Sequence, residues 1–225
     1  MTSFKLTQVQ FSYEADFSPP ILEIASSNEQ VPFMKRLLAR FNLKLGDVVL
    51  SPQNLSRSLI SFRRWVPNGG SYDFTLGTDG LNSNYLNPSS LESAWEPTAK
   101  ALETIGESTR FTFEKQTLKM QGHCTPEIVK ASEFIARYNA FETKPELLTS
   151  KGLTFTFSGP ATNAQTFLVL NESALITDGL YVFSEVTYVG PSDDLSLNVF
   201  SATVRFLMDV IFSALELEVT IGIES

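Results

Sequence analysis

Residues 195–217 read Leu-Ser-Leu-Asn-Val-Phe-Ser-Ala-Thr-Val-Arg-Phe-Leu-Met-Asp-Val-Ile-Phe-Ser-Ala-Leu-Glu-Leu, and the rest of the chain is organised around them. At 3.6 residues per turn, Leu197, Phe200, Val204, Met208, Ile211 and Leu215 share one face, the spacing of a helix lying on a core. Asp193 and Asp194 stand just before it, suited to an N-cap and to the positive end of the helix dipole. The back of the same helix is apolar too. Val199, Phe206 and Val210 line up there, with Ala202 and Thr203 beside them and only Arg205, Asp209 and Glu216 as charges. A helix apolar on two faces is normally buried on two faces. One face is expected to cover the chain's own sheet, and the other to meet a second layer, a second subunit or a ligand. Val199, Phe206 and Val210 are therefore the candidate interface residues.

What this helix covers is read from the strands. Phe4 to Tyr13 alternates in two phases, Phe4 with Leu6 and then Val9, Phe11 and Tyr13, which a bulge near Thr7 and Gln8 reconciles. A helix is expected from about Glu29 to Phe41, striped by Phe33, Met34, Leu37, Leu38 and Phe41 and capped by Ser27 or Asn28, with Pro32 tolerable only in its first turn. Asp47 to Leu50 and Ser58 to Val66 read as strands. Asn68-Gly69-Gly70 then reverses the chain into Tyr72 to Leu76. Asp79-Gly80 reads as a two-residue turn that pairs Thr78 with Leu81, Leu76 with Ser83 and Phe74 with Tyr85. Three successive antiparallel strands favour an α+β fold, a mainly antiparallel sheet packed against helices, over a doubly wound one.

Further along, Ser89 and Glu92 have capping-box spacing, and Leu91, Trp95, Thr98, Leu102 and Ile105 form a stripe in which Pro97 should kink or split the helix. Thr109 to Gln121 reads as a strand whose phase slips between Phe113 and Leu118. Thr125 and Pro126 are expected to start a helix carrying Ile128, Ala131, Ile135 and Tyr138. Strands follow at Leu153 to Phe157, Gln165 to Leu170 and Leu175 to Thr177. Leu180 to Val189 is apolar on both phases, as a central strand is. There is no sequence repeat or low-complexity tract. Residues 1–225 are expected to form one domain, with a subdivision near residue 150 conceivable.

Composition bounds the function. Eighteen Phe outnumber Tyr and Trp combined, which points to a dry aromatic interior rather than a stacking surface for bases or sugars. One cysteine, Cys124, allows no internal disulfide, so a reducing, cytoplasmic compartment is the default. No membrane span is expected, because the most apolar window, Phe206 to Leu215, is interrupted by Asp209 and is about half the roughly 20 residues a span needs. The net charge of −8 is uneven: from Pro145 onward two basic residues, Lys151 and Arg205, face ten acids. That acidic final third would suit a basic protein partner, and it equally keeps a very apolar segment soluble. Lys35, Arg36, Arg40 and Lys44, with Arg57, Arg63 and Arg64, read as solvated sides, and an acidic chain is a poor nucleic-acid binder.

Chemistry is sparse. His123 is the only histidine, and Cys124 beside it on a strand points to the opposite face, a poor geometry for a thiolate pair. Asp193 with Asp194, and Glu216 with Glu218, are the carboxylate pairs able to hold Mg²⁺ or act as acid and base, but a helix cap and a solvated helix end explain them more simply. The Asn68-Gly69-Gly70 run lacks the Lys and helix of a phosphate loop. No catalytic residue, metal ligand or cofactor is assigned. Arg205 and Asp209, four apart, are expected to form a local ion pair.

Leu207, Met208, Asp209, Val210 and Ile211, with Leu215, Val219 and Thr220, resemble the C-terminal pattern of a sporadically distributed family of uncharacterised bacterial proteins. That pattern has Leu-His-Asp, an Ile two residues on, then a large apolar residue and a closing Ile-Thr. The order of elements is also similar, down to the Arg-led strand at Arg110. Met208 stands where the pattern has His. The resemblance implies a fold and a bacterial or phage setting rather than an activity. Together these readings favour a non-enzymatic interaction or assembly module that forms a homo-oligomer through the C-terminal helix. A carrier with an apolar pocket between sheet and helix is the alternative.

Overall fold

The computed structural model describes residues 2–51, 59–65, 70–107, 109–138, 152–192 and 197–221. Among the described residues, ten strands hydrogen-bond in a mainly antiparallel sheet and four α-helices accompany them, so the fold is α+β. The order along the chain is β1 (Thr2–Ser18), α1 (Ser27–Phe41), β2 (Val48–Leu50), β3 (Ile60–Trp65), β4 (Ser71–Leu76), β5 (Gly80–Leu86) and α2 (Leu91–Gly106). Then come β6 (Thr112–Pro126), α3 (Ala131–Ala136), β7 (Gly152–Ser158), β8 (Ala164–Glu172), β9 (Leu180–Ser192), α4 (Leu197–Arg205) and β10 (Leu217–Ile221). The strand order is β2-β3-β4-β5-β1-β6-β9-β8-β7, with β10 added to β1. A long strand, a helix, a run of antiparallel strands and a second helix thus occur twice, from β1 to α2 and from β6 to α4, a repeat of topology without a repeat of sequence.

Two compact units divide the chain. One comprises Phe11–Leu118 and Thr187–Phe200, the other Met1–Gln10, Lys119–Val186 and Ser201–Ser225; they are named here after Trp95 and Phe134. The boundaries cut through β1, β6, β9 and α4 rather than near residue 150.

In the Trp95 unit, α1 and α2 bury one side each. Phe33, Met34, Leu37 and Phe41 are buried on α1, and Ala94, Trp95, Thr98, Ala101 and Ile105 on α2. Arg40 of α1 bridges Glu103 and Glu107 of α2. The strands beneath alternate as a half-buried sheet must: Tyr72, Phe74 and Leu76 are buried, while Asp73 and Thr75 are half-open. Trp95 meets Tyr13 edge-on at 5.2 Å and stacks on Phe200 at 5.0 Å. Phe41, Phe62, Tyr72 and Phe74 form a second cluster of rings.

Local details depart from the sequence reading. Ser26, not Ser27 or Asn28, caps α1, and Pro32 lies beyond its first turn. Ser90 with Ser93, one residue on from Ser89 and Glu92, makes the capping box of α2, and the helix runs unbroken past Pro97. The lost hydrogen bond costs about 3 kcal/mol, and burial of Trp95, Thr98 and Ala101 on either side of the proline offsets it. In the β4–β5 hairpin, Leu76 pairs with Leu81, Phe74 with Ser83 and Tyr72 with Tyr85, two residues from the expected register. A shift of two leaves every side chain on its own face, so alternation cannot detect it. The loop is held elsewhere, by the Phe17 and Ile21 N–H groups donating to the Asp79 and Thr78 carbonyls. The turn at Asn68-Gly69 lies outside the described residues, although β3 and β4 pair as that turn requires.

In the Phe134 unit, β1 and β10 run parallel, Thr2 opposite Leu217 and Leu6 opposite Ile221. Phe4 packs edge-on against Phe134 at 6.0 Å. The expected phase slip of β1 is present, with Thr7 and Gln8 exposed between buried Leu6 and Val9. Thr125 and Pro126 end β6 instead of starting a helix. The helix begins only at Ala131, leaving Ile128 exposed. Leu175 to Thr177 is a turn, not a strand.

The C-terminal segment is corrected most. Among the described residues, α4 covers Leu197–Arg205, Phe206–Phe212 is π-helical, and Leu217 already belongs to β10. A single long α-helix is not shown over this segment, and α1 and α2 are both longer than α4. No helix among the described residues is long and apolar enough to cross a membrane.

Trp95 is 2% exposed, so Trp95→Ala is expected to destabilise the protein by about 3–5 kcal/mol, read as a lower denaturation midpoint in guanidinium chloride.

Candidate functional site

Within the Phe134 unit, residues 201–214 present two different sides. Thr203, Val204, Leu207, Ile211 and Phe212 are buried, and Met208 is half-buried. A π-helix closes its hydrogen bonds between residues five apart instead of four, so the fourth and fifth residues along both lie near the starting side, and the buried stripe widens to take in Phe212 beside Ile211. Thr203, placed on the back by a 3.6 period, is inside at 0% exposure. The outer side carries Ala202, Phe206, Val210 and Ala214, each four residues from the next. Val210 is 54% exposed, Phe206 half-buried, and both alanines are open. Arg205 and Asp209 flank this strip, both exposed. They form no ion pair with each other or with any other group among the described residues. Of the expected interface set, Phe206 and Val210 thus share one outer strip, and the side chain of Val199 lies outside the described residues. The chain covers Phe206 only in part and leaves most of Val210 bare.

Other candidates separate. His123 and Cys124 point to opposite sides of β6, and burial pushes the Cys124 thiol up to about 12, the reverse of an activated nucleophile. The His123 ring is tied to Ser173 instead. The Ser173 hydroxyl oxygen accepts the N–H groups of Leu175 and Ile176 at 3.1 and 2.9 Å, so its proton is directed to His123 Nδ1 at 2.8 Å. The imidazole is therefore neutral, with its own proton on Nε2, and desolvation lowers its pKa. Asp193 and Asp194 lie outside the described residues. Glu216 is exposed in a left-handed turn before β10, and Glu218 is exposed on that strand. No three His, Cys, Asp or Glu side chains converge as a metal would need among the described residues.

Cavities add what the sequence reading missed. The space lined by Phe11, Trp95 and Phe200 measures about 10 Å³, room for a single water. An open depression of about 490 Å³ carries Glu14, Asp16 and Asp79 beside Asn82 and Asn84. Its acids come from the part of the chain before Pro145, where fifteen basic residues balance fifteen acids, and so gave no signal. A smaller cleft of about 210 Å³ joins Arg64 to Phe41, Tyr72 and Tyr85; its only trace in the sequence is Pro97 inside a helical stripe. No protein-family profile matches this chain, and no curated protein matches it.

Protonating His123 means displacing the Ser173 proton. Because its folded pKa lies below the unfolded value near 6.5, the stabilisation is complete above that pH and is lost as pH falls through the folded value. Melting temperature is expected to drop between pH 7 and 5, and by less in His123→Gln, measured by circular dichroism.

Proposed function

We propose that the chain is a non-enzymatic interaction or assembly module that self-associates through the outer strip of residues 201–214, in a bacterial or phage setting. The observation behind this reading is Val210 at 54% exposure beside half-buried Phe206, on a segment whose other side buries Thr203, Val204, Leu207, Ile211 and Phe212. Small residues at both ends of the strip, Ala202 and Ala214, let a second helix approach closely. Arg205 and Asp209 are the complementary rim: in an antiparallel two-fold pair, each meets the other's opposite charge. Two charges without an ion-pair partner among the described residues are then paired across the interface. The π-helical turn fits the same role, since such turns cost backbone stability and concentrate at functional sites. Sequestering an apolar ligand against the first turn of α4 would need more room than the 10 Å³ beside Phe200.

Multi-angle light scattering on the purified chain is expected to give a dimer or a larger assembly, and Val210→Asp to give a monomer with an unchanged circular dichroism spectrum. A wild-type monomer at high micromolar concentration, or a Val210→Asp variant that remains assembled, would remove this reading.

A further inference from the structure

Among the described residues three strands, β2, β7 and β10, are paired on one side only. A bare strand edge is a row of N–H and C=O groups that invites another strand, and proteins guard it with shortness, charge, proline or bulges. β2 is three residues long, and β10 carries exposed Glu218. β7 has none of these guards. It runs for seven residues without proline, in unbroken register with β8 from Gly152 opposite Asn171 to Ser158 opposite Gln165. No charged residue occurs from 152 to 171.

The ladder shows which groups the edge offers. The Gly159 N–H donates to the Ala164 carbonyl at 2.9 Å, next in register after Ser158 and Gln165. Bonded and non-bonded pairs alternate along an antiparallel ladder, so Leu153, Phe155 and Phe157 direct their backbone groups to β8, and Thr154, Thr156 and Ser158 direct theirs away from it. The last three are exposed, whereas Leu153, Phe155 and Phe157 are half-buried. The Phe155 and Phe157 rings lie 5.8 Å apart on the side that holds buried Leu168 and Leu170. An added strand would bring its own side chains against their uncovered parts. The Trp95 unit shows what such an edge accepts. In the repeat of topology β3 takes the place of β7, and β3 holds β2 antiparallel on its far side, Val48 opposite Phe62 and Leu50 opposite Ile60. That strand is an uncharged apolar triplet.

We infer that the open edge of β7 binds an extended, uncharged segment of a partner protein as an added antiparallel strand. Its apolar residues face Phe155 and Phe157, and threonine or serine residues face Thr154, Thr156 and Ser158. Charge selects this occupant, because an ionised side chain would lie beside two phenyl rings with no counter-charge in residues 152–171. Size selects it over a second copy of the chain. Seven residues are far fewer than the roughly 20–30 a side that hold two folded proteins together, whereas strand addition by a peptide draws its affinity from main-chain hydrogen bonds. The edge is separate from residues 201–214, so Val210→Asp should bind the segment equally well.

The probe is a fluorescein-labelled peptide of alternating valine and threonine with a lysine at each end for solubility, followed by fluorescence anisotropy and by amide hydrogen exchange in NMR. Saturable binding is expected, with slowed exchange at Thr154, Thr156 and Ser158. N-methylation of the peptide's threonine amides, which would face β7, should weaken binding at least tenfold, as should glutamate in place of valine. Thr156→Pro should abolish binding and keep the wild-type circular dichroism spectrum, since the N–H that it removes points away from β8. Thr156→Lys, which removes no backbone group, should weaken binding as an edge guard does. Absence of saturable binding at millimolar peptide would overturn the assignment, as would equal binding of the N-methylated peptide. Slow exchange at Thr154, Thr156 and Ser158 in the protein alone would also overturn it, because the edge would then be covered already, by this chain or by a second copy.

Discussion

The stacking of Trp95 on Phe200, with Tyr13 edge-on to the same indole, is the contact on which the Trp95 unit depends. It holds α2 against the sheet despite a proline in the helix interior, and it leaves only a water-sized gap. Once α2 is fixed there, Thr98 meets Ser83 and Pro97 faces the cleft. Dispersion and apolar burial supply the energy, while the edge-on and stacked geometries select one orientation of the rings. The Phe134 unit is built likewise on Phe4, Phe134 and Tyr138, and the Tyr138 hydroxyl donates to the Leu215 carbonyl where β10 begins.

An aromatic interior of this kind buries hydroxyls together with rings, and each must find a partner. Tyr13 donates to Gln116 at 2.7 Å, Ser83 pairs with Thr98, and the Ser184 hydroxyl reaches the Met120 carbonyl. The Tyr72 hydroxyl is buried beside that Ser83–Thr98 pair. The Thr166 hydroxyl belongs to β8 and lines none of the cavities described above.

On the surface, exposed apolar side chains occur singly on many proteins and call for no explanation. Leu22, Leu45 and Ile128 are of that kind. Val210 differs by its company: a half-buried phenylalanine and two open alanines share its strip, flanked by two exposed charges of opposite sign. Likewise, acids are spread along the final third of the sequence, yet the acidic depression is assembled from Glu14, Asp16 and Asp79. Surface character is a property of neighbours in space, and counts along the chain miss it.

The sequence alone determined the class of fold, because alternation in β1, β4 and β9 and the stripes of α1 and α2 are local consequences of burying one side of an element. The slip at Thr7 and Gln8, the opposed faces of His123 and Cys124 and the central position of β9 follow from the same rule. Only the tertiary structure decided the β4–β5 register, which alternation cannot see, and the parallel addition of β10 to β1, which joins the two ends of the chain. It also converted the second half of the C-terminal helix into a π-helix, since a 3.6 period assumes the geometry that it is used to detect. The repeat of topology from β1 to α2 and from β6 to α4 was equally hidden, because strand order is set by hydrogen bonds between distant segments and leaves residue identities free. The cleft around Tyr72 needed the fold most of all: Arg64, Tyr72, Tyr85 and Pro97 lie on separate elements, and no spacing along the chain records their meeting.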